Sequence, residues 1–329
     1  FHLMTHAFFK ALLFLAAGSV IMGVHHNQDI RWMGGLRKYM PITWITSLLG
    51  SLALIGTPFF AGFYSKDSII EAVHASHIPG SEFAHFAVLA GVFVTAFYSF
   101  RMYFLVFHGK ERFDQNPDAH HGHDAHEDAH GHHEEQHPHE SPWVVTVPLV
   151  LLAIPSVVIG FLTIGPMLFG DLLKDSIIVD NGKHQAMAEL ARGFHGAVQM
   201  AVHGLTTAPF WLALAGVVSA WYMYLVNPAL PAAIKRHAMP LYTLLENKYY
   251  FDWFNENVIA RGARGLGVGL WKGGDEAVID GALVNGSARG VAWIAGVVRW
   301  FQTGYIYHYA FAMIVGVFVL MTWFVWLSR

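Results

Sequence analysis

Three ionisable residues, His2, His6 and Lys10, stand four positions apart in the otherwise apolar run "FHLMTHAFFKALLFLAAGSVIMG". On a helix, positions i, i+4 and i+8 fan over only about 80° of one face, with neighbouring side chains about one turn apart. A proton can hop across that spacing through one intervening water. A charge in the bilayer costs about 2.5–3.5 kcal/mol even on insertion scales, so an ionisable group kept there points to function. The competing readings are that the Lys10 side chain stretches to an interface, or that the histidines are satisfied core groups. The long apolar run after Lys10, and Ala7, Phe8 and Phe9 before it, make such a stretch hard to sustain. Neutralising a buried lysine near pH 7 takes roughly 4–5 kcal/mol of desolvation or like-charge repulsion. Moving one charge through about 150–200 mV takes roughly 3.5–4.6 kcal/mol. Because the two quantities match, modest changes in hydration or in a neighbouring charge load or empty such an amine.

A second pair, Lys66 and Asp67, lies in "IGTPFFAGFYSKDSIIEA". Spacing alone favours a structural reading: Ser65 as the N-cap of a half-helix, with Asp67 in its first turn against the positive end of the dipole. Arg101 has apolar residues on both sides, but near the end of its span it reads as a snorkelling side chain. The tract "HHGHDAHEDAHGHHEEQHPH" (120–139) holds nine of the 22 histidines. It has neither tetrahedral ligand spacing nor a helical frame, so a solvated insertion with weak metal affinity is the plainer reading.

The elements that must position these residues are helices in a membrane. Of 329 residues, 54% are hydrophobic and 13% charged, and mean hydropathy is +0.40; soluble domains carry about 25% charged residues. The 25 Phe, 11 Trp and 12 Tyr suit bilayer interfaces. With no cysteine, disulfides and thiolate-held clusters are excluded, and a net charge of -3 does not favour nucleic acid. Because the chain starts at Phe1, the expectation is the later part of a longer protein.

Segments of about 20 apolar residues fall at 3–24, 41–60, 84–107, 143–169, 205–226 and 305–327. No alternating strands suggest a barrel. Lys and Arg place loops 25–40, 108–142 and 227–302 on the cytoplasmic side, the mixed-charge loop 170–203 being the exception. That assignment requires 41–77 to cross once, although as a straight helix it would be about 55 Å long against a core of about 30 Å. Gly56, Pro58 and Gly62 resolve the conflict: one helix is interrupted, with a first half before Pro58 and a second starting near Ser65. Broken helices at membrane depth face protein or water and often mark ion paths.

The stretch 249–302 is too polar to span. From Ala277 through Gly281, Val284, Ala288, Val291, Ala295 and Val298, small residues recur every three or four positions. They form one close-packing face of an amphipathic helix over 275–302, about 40 Å long, along the membrane surface. The glycines from Gly262 to Gly274 make the preceding part less surely helical. The expected fold is therefore all-α and polytopic, with about six transmembrane helices, one discontinuous, plus that surface helix. Its parts are 1–108, a His-rich cytoplasmic loop 109–142, two spans within 143–226 with a polar periplasmic loop 170–203, a connector and amphipathic helix over 227–302, and an anchor 303–329.

The runs "HLMTHAFFKALLFLAAGSVI", "MGGLRKYMPITW", "GTPFFAGFYSKDSIIEA", "FYSFRMYFLVFHGKER", "NKYYFDWFNENV" and "QTGYIYHYAFAMIVGVFVL", in that order, resemble the antiporter-like membrane subunits of respiratory complex I, the distal one above all. This complex is the proton-pumping NADH:quinone oxidoreductase. The resemblance covers nearly the whole chain. It implies that 1–108 is the second half of a proton channel and that the amphipathic stretch is a lateral helix beneath neighbouring membrane-arm subunits. It also implies that His2, His6 and Lys10 form a central hydrated relay, and that Lys66, with Asp67 beside it, serves a terminal half-channel. For Lys66 the resemblance thus points to function where spacing alone favours structure. NADH, flavin, iron–sulfur clusters and quinone are expected in partner subunits. No Gly-rich nucleotide motif or cysteine set places a cofactor or metal in this chain. The setting implied is a bacterial inner membrane, with other membrane-arm subunits and lipid as partners and no nucleic acid. The fragment is not expected to pump alone, since the family's first helices lie outside it. The alternatives are a subunit of a multisubunit Na+/H+ antiporter sharing the same helices, and a structural clamp with passive lysines.

Overall fold

The apolar runs fold as helices. A computed structural model describes residues 1–115, 137–178 and 185–328, and among these there is no strand. His120 to His133 of the His-rich tract, and Lys183, lie outside the described residues; His137 and His139 lie inside. Five helices have the length and apolarity to cross a bilayer: α1 (His2–Gly23), α4 (Ser81–Phe107), α5 (Trp143–Phe169), α8 (Ala208–Val226) and a terminal helix, Ile306–Leu327. Where a sixth, interrupted span is expected, two shorter helices follow one another, α2 (Pro41–Ile55) and α3 (Ala61–His74). The chain is thus an all-α, multi-pass membrane protein. Backbone groups in lipid must be satisfied within the segment, and the spanning helices do this.

The chain forms two units, Phe1–His237 and Ala238–Arg329. In the first, α4 and α8 pack closely through Ala96, Ala213 and Ala220, small residues of the kind that let membrane helices approach. The same core takes Val20 from α1 and Ile55 from α2. On the other side, α5 packs on α1 through Leu12, Ala16, Leu149 and Ala153.

The helix break follows from local chemistry. Gly56 sits at φ +77, a left-handed conformation open to glycine, and ends α2. Its N–H donates to the Ala53 carbonyl, and that of Thr57 donates to Leu52. The second half starts at Ala61, earlier than the expected start near Ser65. Phe60 is its extended cap residue, and Phe63 N–H already bonds back to Phe60. Ser65 is therefore not an N-cap but lies one turn inside α3. Nothing in "AGFY" stops the helix once the Thr57–Phe60 turn is closed. Gly62 is needed for the close approach of the two halves: a Cβ there would sit 1.8 Å from the Ala53 carbonyl oxygen.

The expected polar loop 170–203 contains two short helices, α6 (Ala186–Gly193) and α7 (Ala197–Gly204). Helix α7 packs against α3 and α5, with Ala201 clustered with Phe63, Tyr64 and Ile164. A run of eight residues is too short to register as a span, yet one apolar face is enough to bury it against protein. At the opposite end of α3's neighbours, Lys38 donates to Glu111 at 2.6 Å across the loops. This contact holds the Glu111 carboxyl below its ordinary value and raises the Lys38 ammonium. Arg101 donates to the Tyr224 hydroxyl at 3.0 Å and lies over that ring, so it is tied to α8's end rather than simply reaching for an interface.

After α9 (Ala229–His237), the second unit opens with α10 (Met239–Glu246) and a Lys248–Asp252 ion pair. An unbroken helical run, α-helical with π-helical stretches, then covers 251–301. It is longer than the 275–302 expected, because the glycines from Gly262 to Gly274 are helical too. Glycine weakens a helix by about 1 kcal/mol per residue but does not block it, and no proline follows Pro240. From Leu270 to Asn285 the turns are of the wider π form. The small-residue face lies open: Val284, Val291 and Val298 are 56%, 67% and 50% exposed.

Candidate functional site

Lys66 is positioned by the break itself. Two of the last α2 carbonyls are taken by Thr57 and Gly56, and the carbonyl of Leu54 accepts the Lys66 ammonium. The end of a helix carries about half a negative charge, so it suits a cation. A cavity of about 330 Å3 adjoins this point, lined by His2, Lys66 and Asp67 with Gly56, Thr95 and Thr207. That is room for several waters, and the polar groups around it supply partners for them.

Asp67 is buried, 5% exposed, on the same cavity. Among the described residues no ion pair joins it to Lys66, since consecutive side chains on a helix point about 100° apart. The carboxylate and the amine stand as separate proton-holding groups beside shared space.

His2 reaches the site from α1. Its Nδ1 lies 2.9 Å from the Ser65 hydroxyl, which is 2.8 Å from that of Thr5, and Thr5 donates to the His2 carbonyl at 3.0 Å. Each hydroxyl can both donate and accept, so the node ties α1 to α3 through buried polar groups. His6 continues from it, with its ring 5.6 Å from that of His2 and 5.3 Å from that of Phe9.

Lys10 is not brought to the cavity. It lies on the exposed side of α1 in this chain. The buried positions Thr5, Phe9, Leu12, Ala16, Ser19 and Gly23 mark the inner face of α1. The fan of about 80° that joins His2 to Lys10 leads away from that face. His2, Lys66 and Asp67 thus share one cavity, with His6 beside His2 and Lys10 on the outer flank.

Two polar constellations are not visible in the sequence. One is the Thr5–Ser65 node, whose partners are 60 positions apart. The other joins Ser19, Thr43 and Ser141 at 2.7 Å each, with Glu140 accepting from Thr43 at 2.6 Å. The one signal for it is the run of hydroxyls in α2, Thr43, Thr46, Ser47 and Ser51, all buried in an otherwise apolar segment.

The chain is thus a multi-pass helical protein with a lysine and an aspartate set just past a helix break. Residues 1–97 match the family described as NADH:quinone oxidoreductase/Mrp antiporter, TM. Over nearly its whole length the chain matches part of subunit L of NADH-quinone oxidoreductases. It is 58% identical to NADH-quinone oxidoreductase subunit L of Neisseria meningitidis serogroup A over 326 residues, covering 99% of this chain and 48% of that protein. It is 38% identical to subunit L of Rhodobacter capsulatus, over 99% of this chain and 51% of the relative. To NADH-ubiquinone oxidoreductase chain 5 of Phytophthora infestans it is 33% identical, over 96% of this chain and 44% of the relative. The chain spans about half the length of the curated relatives it matches.

Proposed function

We propose that the chain serves a proton-translocating membrane subunit of NADH-quinone oxidoreductase, coupling electron transfer in partner subunits to proton movement through buried lysine, histidine and water. NADH, flavin, iron–sulfur clusters and quinone belong to those partners, and this chain holds the proton-carrying groups. The observation that carries the proposal is Lys66, held on the open carbonyl end of α2 beside a cavity shared with His2 and Asp67. In its charged form the ammonium keeps the Leu54 carbonyl; once deprotonated, it is free to take a proton from water in the cavity. The path runs from Lys10 on the flank through His6, His2, Ser65 and cavity water to Lys66 and Asp67. Neighbouring charges switch it, because an ammonium's hold on its proton in a low-dielectric site depends on charges within a few ångströms.

The test is Lys66→Ala and, separately, Lys10→Ala in the assembled enzyme in bacterial inner-membrane vesicles. Each should lower protons moved per NADH oxidised while NADH oxidation with uncoupler persists. Unimpaired pumping in both variants would overturn the assignment. A second reading, cation/proton antiport, is favoured by the family description, which names the Mrp antiporter beside the oxidoreductase. Vesicles in which NADH-independent sodium uptake depends on Lys66 would choose it over the first; the relatives' names favour the oxidoreductase.

A further inference from the structure

Beyond Lys66 and Asp67 towards the end of α3, the described residues bring together four titratable groups that the proposed relay does not use. Glu71 is one turn past Asp67, and His74 is three residues further, at the last position of α3. Positions i, i+4 and i+7 stay within about 60° of one another around a helix, so Asp67, Glu71 and His74 form one polar row. The His74 ring stands 4.7 Å, centroid to centroid, from that of His85 on α4. His203 lies near the end of α7, which packs against α3. A second cavity, of about 720 Å3, lies at this end between α3 and α4, lined by His74, His77, His85 and Glu82. The first cavity is lined by Ile69, Ile70, Ala87 and Val88, and the second by Val73 and Phe83, the next positions along α3 and α4.

Distance makes the row necessary. From Lys66 to His74 the helix rises about 12 Å, too far for one hydrogen-bonded step, whereas Asp67 to Glu71 is about 6 Å. Glu71 is the ionisable side chain that lies between Asp67 and His74 on α3. Imidazoles and a carboxylate brought together in this way can take up a proton and hand it on.

We propose that Glu71, with His74, His85 and His203, is the outer mouth through which the Lys66–Asp67 cavity exchanges protons with the aqueous phase, Glu71 being the obligatory link. This rests on the proton-translocating reading above. In each cycle one proton passes from the Lys66 ammonium to the Asp67 carboxylate, then to the Glu71 carboxylate. From there it goes to an imidazole and to water, and no electron moves.

The test uses the assembled enzyme in inner-membrane vesicles, comparing Glu71→Gln, Glu71→Asp and the double variant His74→Asn/His85→Asn with Lys66→Ala. Glutamine keeps the shape of Glu71 but carries no exchangeable acid, and loss of a positioned acid–base group typically slows proton transfer about 100-fold or more. Glu71→Gln should lower protons per NADH as far as Lys66→Ala does, with uncoupled NADH oxidation and the amount of assembled enzyme unchanged, and Glu71→Asp should restore pumping. The histidine double variant should pump, with its optimum displaced in pH, because these groups tune the mouth without being the link. If Glu71→Gln pumps at the wild-type ratio while Lys66→Ala does not, the mouth is elsewhere and only this inference fails. If neither variant alters pumping, the translocation reading itself fails. Should Glu71→Gln reduce assembly, Glu71→Asp decides: a normal proton ratio with an altered pH profile supports the link, and an unaltered profile overturns it.

Discussion

Ser65 shows how much depends on one atom. Its hydroxyl joins α1 to α3 through His2 and Thr5, and at 1% exposure it has no water to fall back on. Removing one partner from a buried hydrogen bond leaves the others unsatisfied, at about 1–3 kcal/mol. Ser65→Ala should therefore lower the thermal midpoint of the detergent-solubilised enzyme and slow proton movement between His2 and the cavity. Thr5→Val removes the same node from the other side. Since both belong to one network, the double variant should lose less than the two single losses together, with a coupling of about 0.5–3 kcal/mol. Strict additivity would show that His2 is held by something other than this node. In the sequence Ser65 looks like a helix cap, because serine favours that position and Asp67 would then sit in the first turn against the dipole. Its real partners come from another helix, which no local pattern reports. The ionisable residues at helical spacing are legible in the sequence, whereas their rotation is not. The spacing of His2, His6 and Lys10 is the same whether the inner face of α1 bisects the fan or lies to one side of it.

At the scale of elements, α2 depends on a group from far along the chain. Its N-cap residue, Met40, offers no side-chain acceptor, and Pro41 has no N–H. Glu140 fills the gap: its carboxylate accepts from the N–H groups of Ile42 at 2.8 Å and Thr43 at 3.3 Å and from the Thr43 hydroxyl. A negative charge there also matches the helix dipole. Glu140→Ala should destabilise the fold by about 0.5–2 kcal/mol, as loss of an N-cap does, read as a lower thermal midpoint in detergent. Glu140→Gln should keep part of the effect because one acceptor oxygen remains. An unchanged midpoint in Glu140→Ala would mean that water caps α2 as well as the carboxylate does. The interruption near Gly56 and Pro58 is legible because those residues act on the local backbone. The spans are legible because lipid demands length and apolarity together. Helix α7 is not, since hydropathy separates lipid from water but does not recognise a short helix covered by protein. The glycine-rich turns before Asp275 are helical against their composition, because glycine weakens a helix by about 1 kcal/mol per residue without blocking it.

For the molecule as a whole, the telling contrast lies between its two units taken separately. The first buries aromatic and small residues in four clusters. Neither the terminal helix nor the three segments over 261–301 has a buried residue. An apolar helix 22 residues long is at home in lipid. The helix over 251–301 is different, since charged residues and a series of alanine, glycine and valine occur along it together. Small residues gain little from lipid contact but much from a second backbone held close. Left in water, the row would be an apolar patch of the kind that marks an interface. Under the proposed function that cover is other membrane subunits, and the helix braces them. Val291→Asp together with Val298→Asp places two carboxylates on the row without breaking the helix. The expected result is less assembled enzyme in the membrane, with the protons moved per NADH by the remaining assembled fraction unchanged, measured on the same vesicles. A brace fails by losing its partners, whereas a mechanical coupling rod fails by losing work. If assembly holds while the ratio falls, the helix transmits motion and the bracing account is wrong.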